Sequence, residues 1–221
     1  MKLKEIKGLK YPDEYFIKFF FKFALHSFCN KKYLELGCSN GCNLMLPFEF
    51  DNSVVGVDMD KTLISYAEHN FALGKSSCAC DFVVDDMREF CKNKKDIYAD
   101  VLVLANSIYY IPQDDFVLLL RNVLKNNLIK KDIPFFVRFR LVDDFRNNKG
   151  KAISKNAIIM DNKVTGEDGV FCRFYELDEM VGILQKELGL REFQTMQIKY
   201  ENIQNNTKVT NSDAVIWGVI N

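Results

Sequence analysis

Acidic and glycine residues near the start of the chain have a spacing that could serve nucleotide binding. Glu35 lies within an apolar run, residues 33–36, that leads directly into a loop with Gly37 and Gly41. A second apolar run ends in Asp58, 17 residues after Gly41. Glycine lets the backbone adopt positive φ and approach a ligand, and a carboxylate about 20 residues beyond such a loop can bind ribose hydroxyls. The spacing therefore predicts a strand, a ligand-binding loop, a helix and a second strand.

The loop residues also discriminate between nucleotides. A dinucleotide fingerprint, G-x-G-x-x-G, would place glycine at positions 39 and 42, where this chain has Ser39 and Cys42. A dehydrogenase that binds NAD is therefore disfavoured. A turn that carries glycine for steric reasons alone is the alternative interpretation of the loop.

These two segments resemble the first two motifs of class I S-adenosylmethionine-dependent methyltransferases. Residues 35–41 follow the pattern E/D-x-G-x-G-x-G with serine at the central glycine, and residues 55–58 are similar to the acidic second motif. The resemblance extends from about residue 30 to the end of the chain. It implies an enzyme that uses S-adenosylmethionine and releases S-adenosylhomocysteine. The cofactor-binding residues implied in these motifs are Glu35, Gly37, Cys38, Ser39, Gly41, Asp58 and Met59.

A third motif follows the apolar run 82–84. In the family, an acid just past the third strand binds the adenine amino group, and the next backbone amide binds a ring nitrogen. Asp86 with Met87 is the best match, and Asp85 is the alternative.

The loop after the apolar run 100–105 lies across the topological switch point from the first strand, where ligands bind in doubly wound sheets. In the family this loop faces the methionine end of the cofactor. The resemblance therefore implies that Asn106 contacts the cofactor and that Tyr109 or Tyr110 borders the substrate. Packing beneath the next helix is the alternative for the tyrosine pair.

Composition and pattern predict one globular domain over residues 1–221. The chain is 48% hydrophobic and 27% charged, which is ordinary for a soluble protein with a substantial core. Apolar runs of strand length alternate with helical patterns along the chain. Together with the resemblance, this predicts an α/β fold: a Rossmann-like, doubly wound, seven-stranded and mostly parallel sheet whose last strand is antiparallel, with helices on both faces.

Charge and cysteine content narrow the partners. The 30 basic residues equal the 30 acidic ones, so no overall positive field attracts nucleic acid or a membrane surface, and a small molecule is the expected partner. Seven irregularly spaced cysteines favour a reduced, cytoplasmic protein. Cys78 and Cys80 with His69 nearby invite a metal interpretation, but no second cysteine pair completes it, and no metal is expected.

The first 30 residues predict a helix that covers the domain as a lid. Lys18 and Lys22 interrupt the phenylalanine-rich run at helical spacing, which excludes a membrane span or a signal-peptide core. In similar methyltransferases a tyrosine of this segment reaches the cofactor or the substrate. Tyr11 and Tyr15 are the candidates, with helix packing as the alternative interpretation. His26 lies late in the same helix.

Arginine residues suggest an anionic acceptor. Arg138 and Arg140 share one face of the predicted strand 135–141, which should be buried. A buried guanidinium needs an anion, either an internal acid or a substrate group, and we favour the substrate for Arg140. Residues 143–172 predict a substrate-specificity insertion. The predicted substrate-binding residues are Tyr11, Tyr15, Tyr110, Arg140, Arg146 and Arg173.

The predicted reaction is methyl transfer to oxygen or nitrogen of a small metabolite that carries phosphate or carboxylate. If the acceptor must lose a proton, Asp143 or Asp144 is the first candidate base and His26 the second. The chain also resembles, more weakly, the methyltransferases that modify bacterial surface (capsule) polysaccharides, including those that methylate phosphoramidate groups. A protein or RNA methyltransferase and a non-catalytic S-adenosylmethionine-binding module are the alternatives.

Overall fold

A computed structural model describes residues 3–161, 166–204 and 206–221. Within these ranges the helices are α1 (Glu14–Lys22), α2 (Met45–Glu49), α3 (Lys61–Ala72), α4 (Met87–Asn93), α5 (Gln113–Lys125) and α6 (Leu177–Leu188). The strands are β1 (Lys32–Leu36), β2 (Ser53–Asp58), β3 (Cys80–Val84), β4 (Val101–Ala105), β5 (Ile133–Arg140), β6 (Gly150–Ser154), β7 (Ala157–Met160), β8 (Phe171–Arg173), β9 (Arg191–Gln204) and β10 (Thr207–Ile220). No helix in these ranges is both long and apolar enough to cross a bilayer.

Seven strands form the main sheet in the order β3-β2-β1-β4-β5-β10-β9. Strands β1 to β5 pair in parallel, and β10 is antiparallel to both β5 and β9. The order reverses between β1 and β4, so the crevice at their carboxyl ends is the expected ligand site. The predicted seven-stranded, mostly parallel sheet with an antiparallel last strand is confirmed.

Burial of both faces of the sheet explains the apolar runs. All five residues of β4 are buried, as expected for a central parallel strand covered by helices on both sides. One helix face packs on each side: Phe16, Phe19 and Phe20 of α1 are fully buried on one, and α5 buries its own apolar stripe on the other. The helices therefore fix the sheet, and the sheet edge positions the polar residues.

The predicted insertion, residues 143–172, has more regular structure than the sequence indicated. It contains a second sheet in which β6, β7 and β8 pair antiparallel, and its residues 162–165 lie outside the described residues. All five residues of β6 are exposed, so no apolar alternation marks it as a strand.

The closing strands β9 and β10 form a long hairpin. They are 14 residues each and pair from Val219 with Arg191 to Thr207 with Gln204. The distal half of this hairpin is polar and resembles a loop in composition, although residues 201–204 pair with residues 207–210.

Candidate active site

The predicted cofactor residues lie at the carboxyl ends of the parallel strands. Glu35 is in β1, which leads into the glycine loop, and Asp58 ends β2. Asp85 follows β3 and Asn106 follows β4. Since the carboxyl ends of parallel strands meet at one sheet edge, the fold brings these four side chains to the same crevice.

The glycine loop is held by its own backbone amides. The N–H groups of Gly37 and Cys38 both donate to the carbonyl of Val57, at 2.8 and 2.9 Å, and that of Gly41 donates to the carbonyl of Cys38. The N–H of Ser39 donates to Asp58. A phosphate-binding loop needs free N–H groups, and these four are committed to the protein. The loop therefore suits a nucleoside without phosphates, such as S-adenosylmethionine, better than NAD.

Ser39 occupies the left-handed region with φ of 50°, where the resemblance places a glycine. Its N–H donates to Asp58 Oδ2 at 2.8 Å, while Asp58 Oδ1 accepts from the N–H of Asp60 at 3.0 Å. Two backbone donors thus fix the Asp58 carboxylate, and each oxygen keeps a lone pair for a ribose hydroxyl. The neighbouring Met59 is 75% exposed and free to cover a ligand.

Glu35 is buried at the start of the loop with one oxygen unpaired. Asn43 donates to its Oε1 at 2.7 Å, whereas Oε2 is buried and has no hydrogen-bond partner among the described residues. Burial raises the pKa of Glu35 to about 8, against the hydrogen bond from Asn43 and with help from the charges of Asp13 and Asp58. A buried acceptor without a donor fits a cofactor that brings one, and the amino-acid end of S-adenosylmethionine carries an ammonium group.

Replacing Glu35 by glutamine should make stability less dependent on pH. The native acid keeps its proton up to about pH 8, whereas the unfolded chain releases it near pH 4.5. Because the unfolded state loses the proton first, the contribution of Glu35 to the free energy of unfolding is greatest below pH 4.5 and falls steadily from pH 4.5 to pH 8. At about 1.4 kcal/mol per pH unit between pH 4.5 and pH 7, the variant should gain about 3 to 4 kcal/mol over the parent at pH 7. Urea unfolding of both proteins between pH 4.5 and 8 measures this difference, and parallel curves would contradict it.

The structure changes which residue of the third motif we assign to the adenine amino group. Asp86, the predicted adenine contact, caps α4 and its carboxylate oxygens accept from Arg88 at 2.8, 2.9 and 2.6 Å. These hydrogen bonds lower the pKa of Asp86, and Arg88 also reaches Asp115. The N–H of Asp85 donates to the carbonyl of Asp58 at 3.1 Å, but its carboxylate makes no hydrogen bond or ion pair with any described residue. The structure thus favours Asp85, the alternative, over Asp86, and leaves the amide of Met87 inside the first turn of α4.

An unpredicted buried network crosses the site. Asp13, the N-cap of α1, accepts from Arg138 Nη1 at 2.6 Å and from the amide of Asn106 at 3.3 Å, and its own N–H donates to Asn43. Asp213 of β10 accepts from the same guanidinium at 2.5 Å. From the sequence alone, the position of Asp13 just before α1 indicates only a helix cap. Its partners lie far away along the chain.

The residues before α1 are fastened beside the glycine loop. Asn40 donates to the carbonyls of Lys7 and Leu9 at 2.7 and 2.8 Å, and Asn70 accepts from the N–H of Lys7. Tyr11 remains 66% exposed, and the ring of Tyr15 lies 5.4 Å from the Arg138 guanidinium. Of the two N-terminal tyrosines predicted for substrate binding, Tyr15 is thus the one at the polar network.

Arg140 pairs with an internal carboxylate, the alternative that the sequence argument left open but did not favour. Its Nη2 donates to Glu167 at 2.6 Å, and Arg146 Nε donates to the other oxygen of Glu167 at 2.8 Å. The hydroxyl of Tyr110 donates to Glu167 at 2.7 Å, and the Arg140 guanidinium lies 4.3 Å from the ring of Tyr109. The internal acid, which the sequence left as the alternative partner of Arg140, is thus present, and the structure brings Arg140, Arg146 and Tyr110 together.

Arg173 is engaged elsewhere. It donates to Glu179 of α6 at 2.7 Å and to the carbonyl of Lys155 at 2.8 Å, and it lies over the ring of Tyr175. These contacts give it a structural role in fixing the small sheet to α6, which separates it from the other predicted substrate residues.

The structure contradicts His26 as a catalytic base. α1 ends at Lys22, before His26, which lies exposed in a 3-10 turn against the ring of Phe21. The next residues pair with the segment that precedes β2, where Asn52 donates to the carbonyl of Phe28. His26 therefore lies at the amino ends of the strands, at the opposite edge of the sheet from the glycine loop.

The two candidate aspartates are also paired. Asp144 is buried and accepts from Arg146 and from the N–H of Ser212. Asp143 accepts from Lys199 at 2.8 Å; burial opposes the shift, but the hydrogen bonds from Lys199 and Ser212 lower its pKa. A carboxylate with a lowered pKa is a weaker base, which argues against the catalytic role predicted for Asp143.

Comparisons with known proteins agree with this geometry. Residues 34–127 match the family model of the methyltransferase domain. No curated protein matches the chain in sequence. The crystal structure of an S-adenosylmethionine-dependent methyltransferase from Methanosarcina mazei has a TM-score of 0.67 at 14% identity, over 90% of this chain and 98% of that chain.

Two further solved structures share the fold. A protein from Pyrococcus horikoshii has a TM-score of 0.61 at 17% identity, over 99% of each chain. The 1,6-didemethyltoxoflavin-N1-methyltransferase from Burkholderia thailandensis, solved with its acceptor and S-adenosylhomocysteine, has a TM-score of 0.60 at 12% identity, over 93% of this chain and 78% of that chain. The family match and the shared fold confirm the resemblance drawn from the sequence: residues 34–127 match the methyltransferase domain, and the chain has the fold of S-adenosylmethionine-dependent methyltransferases.

Proposed function

We propose that the protein transfers the methyl group of S-adenosylmethionine to oxygen or nitrogen of a small metabolite that carries phosphate or carboxylate. One observation carries the proposal: the guanidinium groups of Arg140 and Arg146 and the hydroxyl of Tyr110 converge at the carboxyl end of β5, beside the loop that follows β4. Paired arginines bind oxyanions through parallel hydrogen bonds.

For each polar group of the cofactor, the crevice offers a side chain that can still form a hydrogen bond. We assign the ribose hydroxyls to Asp58, the adenine amino group to Asp85, and the amino-acid end to Glu35 and Asn106. When bound, S-adenosylmethionine supplies a methyl group activated by its sulfonium. The chain's own contribution is alignment of donor and acceptor, which can lower a barrier by about 7 to 11 kcal/mol.

Two coverings favour a small acceptor over a polymer. The N-terminal segment, which we propose acts as a lid, reaches the site through Asp13, and the insertion reaches it through Glu167. Phosphorylated or phosphoramidate-bearing precursors of surface polysaccharide belong to the acceptor class that we propose. All seven cysteines are unpaired, which supports a cytoplasmic location for the reaction.

Calorimetric binding of S-adenosylmethionine tests the cofactor assignments. Asp58→Ala and Asp85→Ala should each weaken binding at least tenfold, because a hydrogen bond to a charged group contributes about 1.5 to 3 kcal/mol. Asp86→Ala is the matched control: it removes the cap of α4 and the Arg88 pair, so it should lower the melting temperature while affinity changes less. Unchanged affinity in Asp85→Ala, with weakened affinity in Asp86→Ala, would return the adenine contact to Asp86.

A screen for methyl acceptance then tests the substrate class. Release of S-adenosylhomocysteine is measured with phosphorylated, carboxylated, phosphoramidate-bearing and nucleotide-linked small molecules. Turnover of peptides or RNA in place of these compounds would support the alternative of a macromolecular acceptor. Tight cofactor binding without turnover of any acceptor class would support a non-catalytic binding module.

A further inference from the structure

The carboxylate of Glu167 is held as a ligand would be held. It belongs to the insertion, between β7 and β8. Its Oε1 accepts from Arg140 at 2.6 Å and from the Tyr110 hydroxyl at 2.7 Å, and its Oε2 accepts from Arg146 at 2.8 Å. Three donors from three separate segments therefore converge on one carboxylate.

The carboxylate of Glu167 compensates the positive charge of Arg140. Only 7% of the residue is exposed, and its Nη1 donates to sulfur atoms, Cys172 Sγ at 3.5 Å and Met160 Sδ at 4.0 Å. Sulfur is a weak acceptor, so among the described residues Glu167 alone supplies Arg140 with side-chain oxygen. A buried guanidinium without an anion is costly, and any departure of Glu167 calls for a replacement.

The charges of the cluster define what would replace it. Arg140 and Arg146 contribute two positive charges, and Asp144, which binds Arg146, contributes one negative charge. With Glu167 in place the cluster is neutral, and without it the cluster has one excess positive charge. An oxyanion of small size, a phosphate or a carboxylate, matches both that charge and the donor geometry.

The cluster also lies next to the reacting end of the site. Tyr110 follows Asn106 by four residues in the loop after β4, and Arg140 is two residues beyond Arg138 on the same face of β5. Asn106 and Arg138 both contact Asp13 at the centre of the candidate site. A ligand held by Arg140 would therefore be adjacent to the crevice assigned to the cofactor.

We propose that Arg140, Arg146 and Tyr110 form the oxyanion subsite of the acceptor, and that Glu167 occupies it as a tethered competitor that the acceptor displaces. This inference rests on the proposed function and names the contact that makes the enzyme select anionic acceptors. The tether gives Glu167 a high effective concentration at the site, so the apparent affinity for a free anion is reduced in the parent. Displacement would release Glu167 from the cluster, while Arg146 keeps its pair with Asp144.

Titration of the full chain with inorganic phosphate, and separately with acetate, tests the proposal without any cofactor. Glu167→Gln should bind at least one of the two at least tenfold more tightly than the parent, because the competitor loses its charge. Tighter phosphate than acetate binding indicates a phosphate acceptor, and the reverse order indicates a carboxylate acceptor. Glu187→Gln is the control: it releases the guanidinium of Arg121 on the surface and should leave the affinity for both anions unchanged.

A second variant shows where the anion binds. Adding Arg140→Lys to Glu167→Gln should reverse the gain, since lysine cannot make the two parallel hydrogen bonds. Equal anion affinity in the parent and in a folded Glu167→Gln variant would overturn the proposal, as would a gain that persists in the double variant. If Glu167→Gln does not fold, Glu167→Asp, which withdraws the carboxylate by one methylene, should give a smaller gain, and no gain would also overturn it. Because these titrations omit S-adenosylmethionine, their failure is distinct from a failure of cofactor binding.

Discussion

Replacing Arg138 by methionine should lower the free energy of unfolding by about 3 to 5 kcal/mol, the usual cost of removing one partner from a buried ion pair. The side chain of Arg138 is 15% exposed, and those of its partners Asp13 and Asp213 are 9% and 13% exposed. Methionine fills much of the same volume but leaves two buried carboxylates without a cation. Equilibrium denaturation in urea measures the loss, and S-adenosylmethionine affinity should fall with it, because Asp13 holds α1 against Asn106.

Two comparisons separate this effect from a general loss of charge. Arg121→Met removes an exposed guanidinium from its pair with Glu187 and should cost less than about 1 kcal/mol. A triple variant that combines Arg138→Met with Asp13→Asn and Asp213→Asn has no unpaired charge, and asparagine can still cap α1. It should be more stable than the single variant. A single variant as stable as the parent would show that the triad is solvated and carries little energy.

The fold could be predicted because its signals are local. The central parallel strands β1, β4 and β5 are apolar runs of five to eight residues that are largely buried. Gly37, Asp58 and Asp85 mark the ends of β1, β2 and β3. The exposed strand β6 and the polar half of the β9–β10 hairpin carry no such signal, since their stability comes from pairing with a neighbour. Strand pairing of that kind cannot be read from a single segment.

In the candidate site, too, some residues could be predicted from the sequence and others could not. Residues placed by a motif, such as Glu35 and Asp58, lie at the predicted strand ends. The partners of the arginines were not predictable, because Arg138 meets an aspartate 125 positions earlier and Arg140 meets a glutamate inside an insertion. The choice between Asp85 and Asp86 also needed the structure, since only the fold shows that Arg88 occupies one of them.

The two loop glycines belong to a correctly identified motif, but their roles differ from the one that the motif suggests. The sequence suggests that Gly41 is present to let the backbone approach a ligand. A Cβ at Gly41 would instead lie 2.8 Å from the ring of Phe71, in the packing between the loop and α3. Gly41 is therefore needed for the core, and a β-branched residue at this position would destabilise the fold itself.

Gly37 sets the stricter requirement, and Gly37→Ala should destabilise the protein by about 3 kcal/mol or more. Its φ of 78° is left-handed, which costs alanine about 1 to 2 kcal/mol, and a Cβ there would lie 2.3 Å from Cβ of Ser107. Ser107 cannot withdraw easily, because it is buried and its hydroxyl donates to the carbonyl of Leu36 at 2.7 Å. Overpacking of this kind costs a further 1 to 3 kcal/mol, roughly.

Gly189→Ala provides the matched control, since Gly189 has φ of 65° but a Cβ there would meet nothing closer than 3.7 Å. It should show the left-handed cost alone, about 1 to 2 kcal/mol. Ser107→Gly removes the atom that Gly37→Ala strikes, so the double variant should lose less stability than the two single variants do together. Additive losses in urea unfolding would mean that the contact with Ser107 does not decide the identity of residue 37. A favourable coupling would show that the glycine loop is shaped by the loop after β4, which places the cofactor-binding and acceptor-binding halves of the site in direct contact.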